Sequence, residues 1–249
     1  MCIAILNPKS KLPKNYLRNS WANNNQGAGL LYVHNGVLCV FKSYKYPEFE
    51  SEYYRLRSNK TISKIVLHFR IATSGHCQTG KNLHPFLVSE KLGFVHNGII
   101  SGLGNKSESD TFQFNEMLKT LPSDFLNNKT IIEFIETYIG WSKLIFLDSK
   151  NNHTIINEID GHYDKSGNWF SNDSYQDEKD YVYYGNKKVD KKKENFFQSD
   201  DFFERDRLAK MLGFNASSEE FEKEIEYYKM ESGFTEVSDI IRYLNDLYV

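Results

Sequence analysis

The chain has 249 residues, 40% hydrophobic and 15% aromatic, enough to bury a sizeable core in one large domain or one domain with an appendage. A formal net charge of −2 argues against a general nucleic-acid binder. Cys2, Cys39 and Cys77 at irregular spacing make neither a disulfide framework nor a zinc site; with no charged-then-apolar start and no apolar run near the roughly 18–20 residues of a membrane span, a reducing cytoplasm is the expected compartment.

Cys2-Ile3-Ala4-Ile5-Leu6 reads as a short buried strand that Asn7-Pro8 ends. Lys9 to Asn25 is polar and loop-like, with a helical turn near Tyr16 to Trp21. The small residues of Gln26-Gly27-Ala28-Gly29 let backbone approach backbone. Gly29 to His34 and Val37 to Ser43 are β-rich runs around Asn35-Gly36, the signal of a type I′ hairpin. Glu48 to Arg57 reads as a short charged helix, and Thr61 to Phe69 as the next strand. Asn82-Leu83-His84-Pro85 belongs to a loop, because Pro85 keeps its predecessor extended. Leu92 to His96 is a strand ending at Asn97-Gly98.

Ser109 to Leu121 reads as a helix capped by Ser109, with Phe112, Phe114, Met117 and Leu118 on its apolar side. Lys129 to Ile139 is a second helix, its isoleucines at helical spacing. Lys143 to Asp148 and Thr154 to Ile159 are strands around an Asn151-Asn152 corner; Asn168 to Asn172 and Tyr181 to Tyr184 are shorter β candidates. Past Gly185 the composition changes. Lys187-Lys188 and Lys191-Lys192-Lys193 mark a charged, exposed connector, and helices follow over Asp200 to Leu212, Ser217 to Glu231 and Thr235 to Tyr248. Ser217 with Glu220 reads as a capping box. The order predicts an α+β domain over residues 1–185 and a helical extension over 186–249.

Removal of Met1 would leave Cys2 with a free α-amine beside its thiol, a base and a nucleophile on one residue. Their ordinary pKa values, about 7.7–8.0 and about 8.5, make proton exchange between them nearly thermoneutral. An enzyme that attacks a side-chain amide of a free amino acid also needs an oxyanion hole, a cation for the α-carboxylate and an anion for the α-ammonium. Asn97 and Gly98 suit the first, the Arg70 guanidinium the second, and Asp110 the third. Each has a plainer reading as well: a strand start, a surface ion pair, a helix cap, a core histidine at His96. His-Asn-Gly also occurs at His34-Asn35-Gly36, where it reads only as a hairpin turn.

Taken in order, several stretches resemble the class II glutamine amidotransferases. Met1-Cys2-Ile3 looks like that family's start, His68-Phe69-Arg70-Ile71-Ala72-Thr73-Ser74-Gly75 its His-x-Arg-x-Ala-Thr-x-Gly signature, and Asn82-Leu83-His84-Pro85 its Asn-x-His-Pro. Phe94-Val95-His96-Asn97-Gly98-Ile99-Ile100 is similar to its oxyanion strand, Ser107-Glu108-Ser109-Asp110-Thr111 to its Ser-Glu-Thr-Asp-Thr, and Phe170-Ser171-Asn172-Asp173-Ser174 to its late strand. Asn25-Gln26-Gly27-Ala28-Gly29 resembles its glycine loop but lacks the Asp before the first glycine.

The resemblance implies a four-layer αββα sandwich of two antiparallel sheets, with Cys2 as nucleophile and its freed amine as base. It implies an oxyanion hole at Asn97 and Gly98, the carboxylate of L-glutamine on Arg70 and Thr73, and its ammonium on Asp110. His84 and His96 would be structural neighbours in the substrate site. The histidines lack ligand spacing such as His-x-x-x-His, so no metal is expected, and no cofactor is expected either. Gly185 to Val249 is too short for an ammonia-accepting synthase domain, so a separate synthase is the expected partner. An amide or peptide hydrolase with another substrate, or an inactive binding protein, stays open at this point.

Overall fold

The structure is a computed structural model that describes residues 2–71 and 80–176, together with 181–184, 187–190, 208, 209, 212, 218–232, 237 and 240. The chain divides into two compact units, Met1–Asp177 and Glu178–Val249.

Alternation along single strands sets the layers of the first unit. In β1 (Ile3–Asn7), Ile3 and Ile5 pack with Leu17 of α1 (Lys14–Asn23) and with Phe49, Tyr53 and Leu56 of α2 (Tyr46–Ser58). Ala4 and Leu6 project to the opposite face. In β6 (Leu92–Asn97) and β7 (Lys143–Asp148), Phe94, Leu144 and Phe146 pack with Phe114 and Leu118 of α3 (Asp110–Leu118) and with Ile135 and Ile139 of α4 (Lys129–Ile139). Val95, Ile145 and Leu147 instead meet Ala4, Leu6, Leu31 and Val66 in a shared apolar layer. Successive strand side chains point to opposite faces, so this is a four-layer sandwich of helices, sheet, sheet and helices. It is the α+β arrangement expected.

The first sheet adds β2 (Ala28–His34), β3 (Val37–Ser43), β4 (Ile65–Phe69), β9 (His162–Tyr163) and β10 (Trp169–Phe170), in the order β3-β2-β4-β1-β10-β9. The second is β5-β6-β7-β8, with β5 (Phe86–Ser89) and β8 (His153–Ile156) at its edges. All pairings are antiparallel. β1 lies inside its sheet, between β4 and β10, so its first residues are carried to one rim of the sandwich.

Several boundaries depart from the sequence expectations. α1 runs for ten residues where a single turn was expected, because burial of Leu17 and packing of Tyr16 and Trp21 on the core outweigh a weak polar pattern. β4 starts at Ile65, not Thr61; the Ile62 and Ser63 carbonyls accept from Arg57 at the end of α2, so that stretch leaves the ladder. β8 stops at Ile156, since left-handed Asn157 (φ 57°) turns the chain and leaves Ile159 exposed. Met117 lies on the exposed side of α3, and β5 and β9 were not foreseen.

In the second unit, β11 (Tyr181–Tyr184) pairs antiparallel with β12 (Lys187–Asp190). The first lysines of the expected connector are therefore a strand; Lys191, Lys192 and Lys193 lie outside the described residues. At the start of α5 (Glu219–Ser232) the Ser218 hydroxyl accepts from Phe221 N at 3.2 Å; Ser217 of the expected Ser217–Glu220 box lies outside the described residues. Leu208, Ala209, Phe221, Ile225, Val237 and Ile240 form this unit's own apolar cluster. Among the described residues no helix is long and apolar enough to cross a membrane.

Candidate active site

The β1–β4 ladder begins at the Ile3–Phe69 pair, so Cys2 stands just ahead of it. Its thiol takes the place of a ladder partner. Cys2 Sγ accepts from Ile71 N at 3.3 Å and lies 3.2 Å from Ile71 O. Its carbonyl oxygen accepts from two carboxamides, Asn97 Nδ2 at 2.6 Å and Asn172 Nδ2 at 2.7 Å. Burial pushes the thiol pKa up; the Ile71 N–H and the Arg70 charge pull it down, and the Asp110 charge pushes it up further. In this chain the sulfur is therefore held mainly as a thiol, and a base is needed to make it a nucleophile.

Asn97 reaches Cys2 because of register. Phe94 faces the helices and Val95 the other sheet, so His96 turns to the helices and Asn97 to the sheet that carries β1. Gly98 follows at φ 142°, a region that favours glycine. A Cβ there would lie 2.3 Å from Ser142 Oγ and 2.7 Å from Ser142 Cα. Ser142 Oγ in turn donates to Ile99 O at 3.1 Å and pins the turn.

Arg70 is buried one residue past β4; its N–H donates to Gly27 O at 2.8 Å and its carbonyl accepts from Gln26 N at 2.9 Å. The small-residue stretch beside it is as tight as expected. A Cβ on Gly29 would lie 2.1 Å from the His84 carbonyl oxygen.

Asp110 is buried in the first turn of α3, which Ser109 caps by accepting from Phe112 N at 3.1 Å. Its Oδ2 accepts from Ile100 N at 2.9 Å and its Oδ1 from Thr111 N at 2.7 Å. The carboxylate thus ties the helix start to the segment that follows Gly98. Asn82 supports the same point: its Nδ2 donates to Ser107 O at 2.9 Å and its Oδ1 accepts from Ser109 N at 2.8 Å.

The three histidines sit beneath these groups as buried imidazoles. Burial lowers His96 to about 4, against the pull of Asp110, and lowers His68 to about 3. His84 is also driven well below the usual value, first by burial and then by its histidine neighbours. His84 stacks on His68 at 3.8 Å between ring centroids, and neither of its ring nitrogens has a hydrogen-bond partner among the described residues. His68 Nε2 donates to His96 O at 2.8 Å. The Thr111 hydroxyl gives its hydrogen to Asp110 Oδ1 at 3.2 Å, so its oxygen receives His96 Nδ1–H at 2.7 Å. None of the three is set up to carry protons near neutral pH.

Of the residues singled out from sequence, Cys2, Arg70, Asn97, Gly98 and Asp110 lie at strand ends and a helix start that these bonds join, with His84 and His96 in the packing below. Thr73 lies outside the described residues. Sequence reasoning missed Asn172, Ser142 and the Ile71 backbone. Asn172 sits in a stretch already noted, but its contact with Cys2 spans 170 residues and needs the fold to become visible.

No protein-family model and no curated protein matches the chain. Among solved structures it is similar to a glutamine aminotransferase class-II domain protein from Silicibacter pomeroyi. The TM-score is 0.36 at 14% identity, covering 68% of this chain and 87% of that one.

Proposed function

We propose that this chain is a glutaminase of the class II glutamine amidotransferase type, using Cys2 as an N-terminal nucleophile after loss of Met1. The observation that supports the reading is the meeting of distant segments around one thiol. Ile71 N–H reaches the Cys2 sulfur, Asn97 reaches its carbonyl oxygen, and Asp110 holds the backbone just past Gly98. Arg70 and Asp110 both act electrostatically on that thiol, with opposite signs. A site holding one buried cation and one buried anion selects a zwitterion, which a free amino acid is and a simple acyl-amide is not.

The steps follow from these groups. With Met1 gone, the Cys2 α-amine takes the thiol proton, and the sulfur attacks Cδ of L-glutamine. Charge develops on the amide oxygen, which the second Asn97 Nδ2 hydrogen and the Gly98 N–H would receive. Loss of one such donor typically costs about 3–4 kcal/mol of barrier. The ammonium returns its proton to the leaving nitrogen, the C–N bond breaks, and ammonia departs from a glutamyl thioester. Water then adds, the C–S bond breaks, and glutamate and the thiol are released. Arg70, with Thr73, would hold the α-carboxylate and Asp110 the α-ammonium. In this reading residues 1–185 carry the chemistry, and the ammonia passes to an acceptor on a separate synthase.

Ammonia release from L-glutamine and from simple acyl-amides tests the reading. We expect kcat/KM for glutamine to exceed that for the amides by about 100-fold or more, the scale on which unpaired buried charges reject a ligand. Equal turnover of both would contradict it.

A further inference from the structure

A residue beyond the end of a strand ladder frays unless something ties it down. Ladder pairing with β4 reaches only to Ile3, so Cys2 is held by other means. Two carboxamides from opposite sheets converge on its carbonyl oxygen. Asn97 ends β6 of the four-stranded sheet; Asn172 lies two residues past β10 of the six-stranded one. In the proposed chemistry Asn97 has a second duty, toward the oxyanion. Asn172 has none.

Asn172 is itself held in one orientation. Its Oδ1 accepts from Ser174 N at 3.0 Å and Ser174 Oγ at 2.7 Å, which leaves Nδ2 facing Cys2. Ser174 is tied to the end of α1, where Asn24 Nδ2 donates to its Oγ at 3.1 Å and Asn23 Nδ2 to its carbonyl at 2.8 Å. Asn24 is fully buried and also donates to Ser20 O at 3.0 Å. One residue before Asn172, Ser171 N donates to Ala4 O at 3.0 Å, and Ser171 Oγ accepts from Ala4 N at 2.9 Å. The carboxamide is thus braced on α1 from one side and on β1 from the other.

We propose that Asn172 is a positioning residue for the nucleophile: it anchors the Cys2 carbonyl, so that the thiol stays against Ile71 while the Asn97 amide answers to charge on the substrate. The kinetic part of this claim rests on the glutaminase reading; the anchoring of Cys2 does not.

Asn172→Asp separates the two functions of the side chain. It keeps the oxygen that Ser174 needs, removes the N–H groups that the Cys2 carbonyl and, at 3.4 Å, Asn97 Oδ1 receive, and sets a negative oxygen against both. Asn172→Ala is the second variant, without the added charge. In the full-length protein, three quantities are read: kcat and KM for glutamine, the pH dependence of Cys2 alkylation by iodoacetamide followed on the Cys2 peptide, and the melting temperature. We expect Asn172→Asp to fold, to lose about 10- to 100-fold in kcat with KM within about threefold, the scale of a small misplacement of a reacting group. Its alkylation midpoint should rise by about half a pH unit or more, as a nearby negative charge requires. Asn172→Ala should lose kcat in the same sense, with a smaller midpoint shift.

An alkylation profile unchanged from wild type in a folded variant would overturn the proposal, and so would kcat within twofold of wild type or a loss confined to KM. Should wild type turn over no glutamine, the glutaminase reading fails by itself, and the alkylation profiles still decide the anchor.

Discussion

His-Asn-Gly is written twice in this chain and folded two ways. At His34-Asn35-Gly36 all three residues face solvent. Asn35 (φ 51°) and Gly36 (φ 75°) make the primed turn between β2 and β3, and a Cβ on Gly36 would meet nothing within 4 Å. At His96-Asn97-Gly98 the imidazole is buried against Thr111, the carboxamide is committed to Cys2, and the glycine is pressed on Ser142. Identical tripeptides thus differ through what lies across from them, which sequence spacing alone does not report. The glycines differ in kind too: the first supplies a backbone angle, the second supplies an angle and an absence of volume.

Alanine at the two glycines should widen that contrast. Gly98→Ala carries the largest expected effect. Its methyl meets the Ser142 backbone at 2.7 Å, so trimming the Ser142 hydroxyl should not rescue it. The cost is on the order of 3 kcal/mol or more, seen as loss of folded protein or a lower denaturation midpoint, together with loss of turnover. A Gly98→Ala protein as stable as wild type would break the comparison.

Acid gives an intermediate effect. Free histidine titrates near 6.5, whereas His96 is lowered to about 4 and His68 to about 3, mainly by burial. The unfolded chain therefore binds more protons than the folded one between these values. Stability is complete above about pH 6.5 and declines as pH falls toward about 4. Melting temperature should drop across that window, and His96→Gln should flatten the decline. A melting temperature constant from pH 7 to 4.5 would contradict the burial of neutral imidazoles. Gly36→Ala carries the smallest effect, about 1–2 kcal/mol for a left-handed residue that gains a Cβ, with glutamine turnover unchanged.

Much of the frame was legible because its signals are local. Leu92 to His96 and Lys143 to Asp148 read as strands and form β6 and β7, Asn35-Gly36 marked the β2–β3 turn, and Lys129 to Ile139 formed the helix its isoleucines indicated. The misreadings came where a partner outside the window decides the outcome. Arg57 withdraws Ile62 and Ser63 from β4, core packing extends α1, and pairing with Tyr181–Tyr184 turns a lysine-rich stretch into β12. The candidate site divides in the same way. Side-chain types with defined chemistry, at Cys2, Arg70, Asn97 and Asp110, stood out. The parts that hold them did not: the Ile71 backbone, the Ser142 wall and the Asn172 carboxamide are ordinary residues until the sheets bring them together.

The glutaminase reading requires that Cys2 be both the mature terminus and the reacting group. Intact mass and peptide mapping after treatment with a glutamine-like diazoketone test this directly. The account predicts a chain without Met1 that carries one adduct, on Cys2, and whose labelling free glutamine prevents. A chain that keeps Met1 and leaves Cys2 unmodified would contradict it.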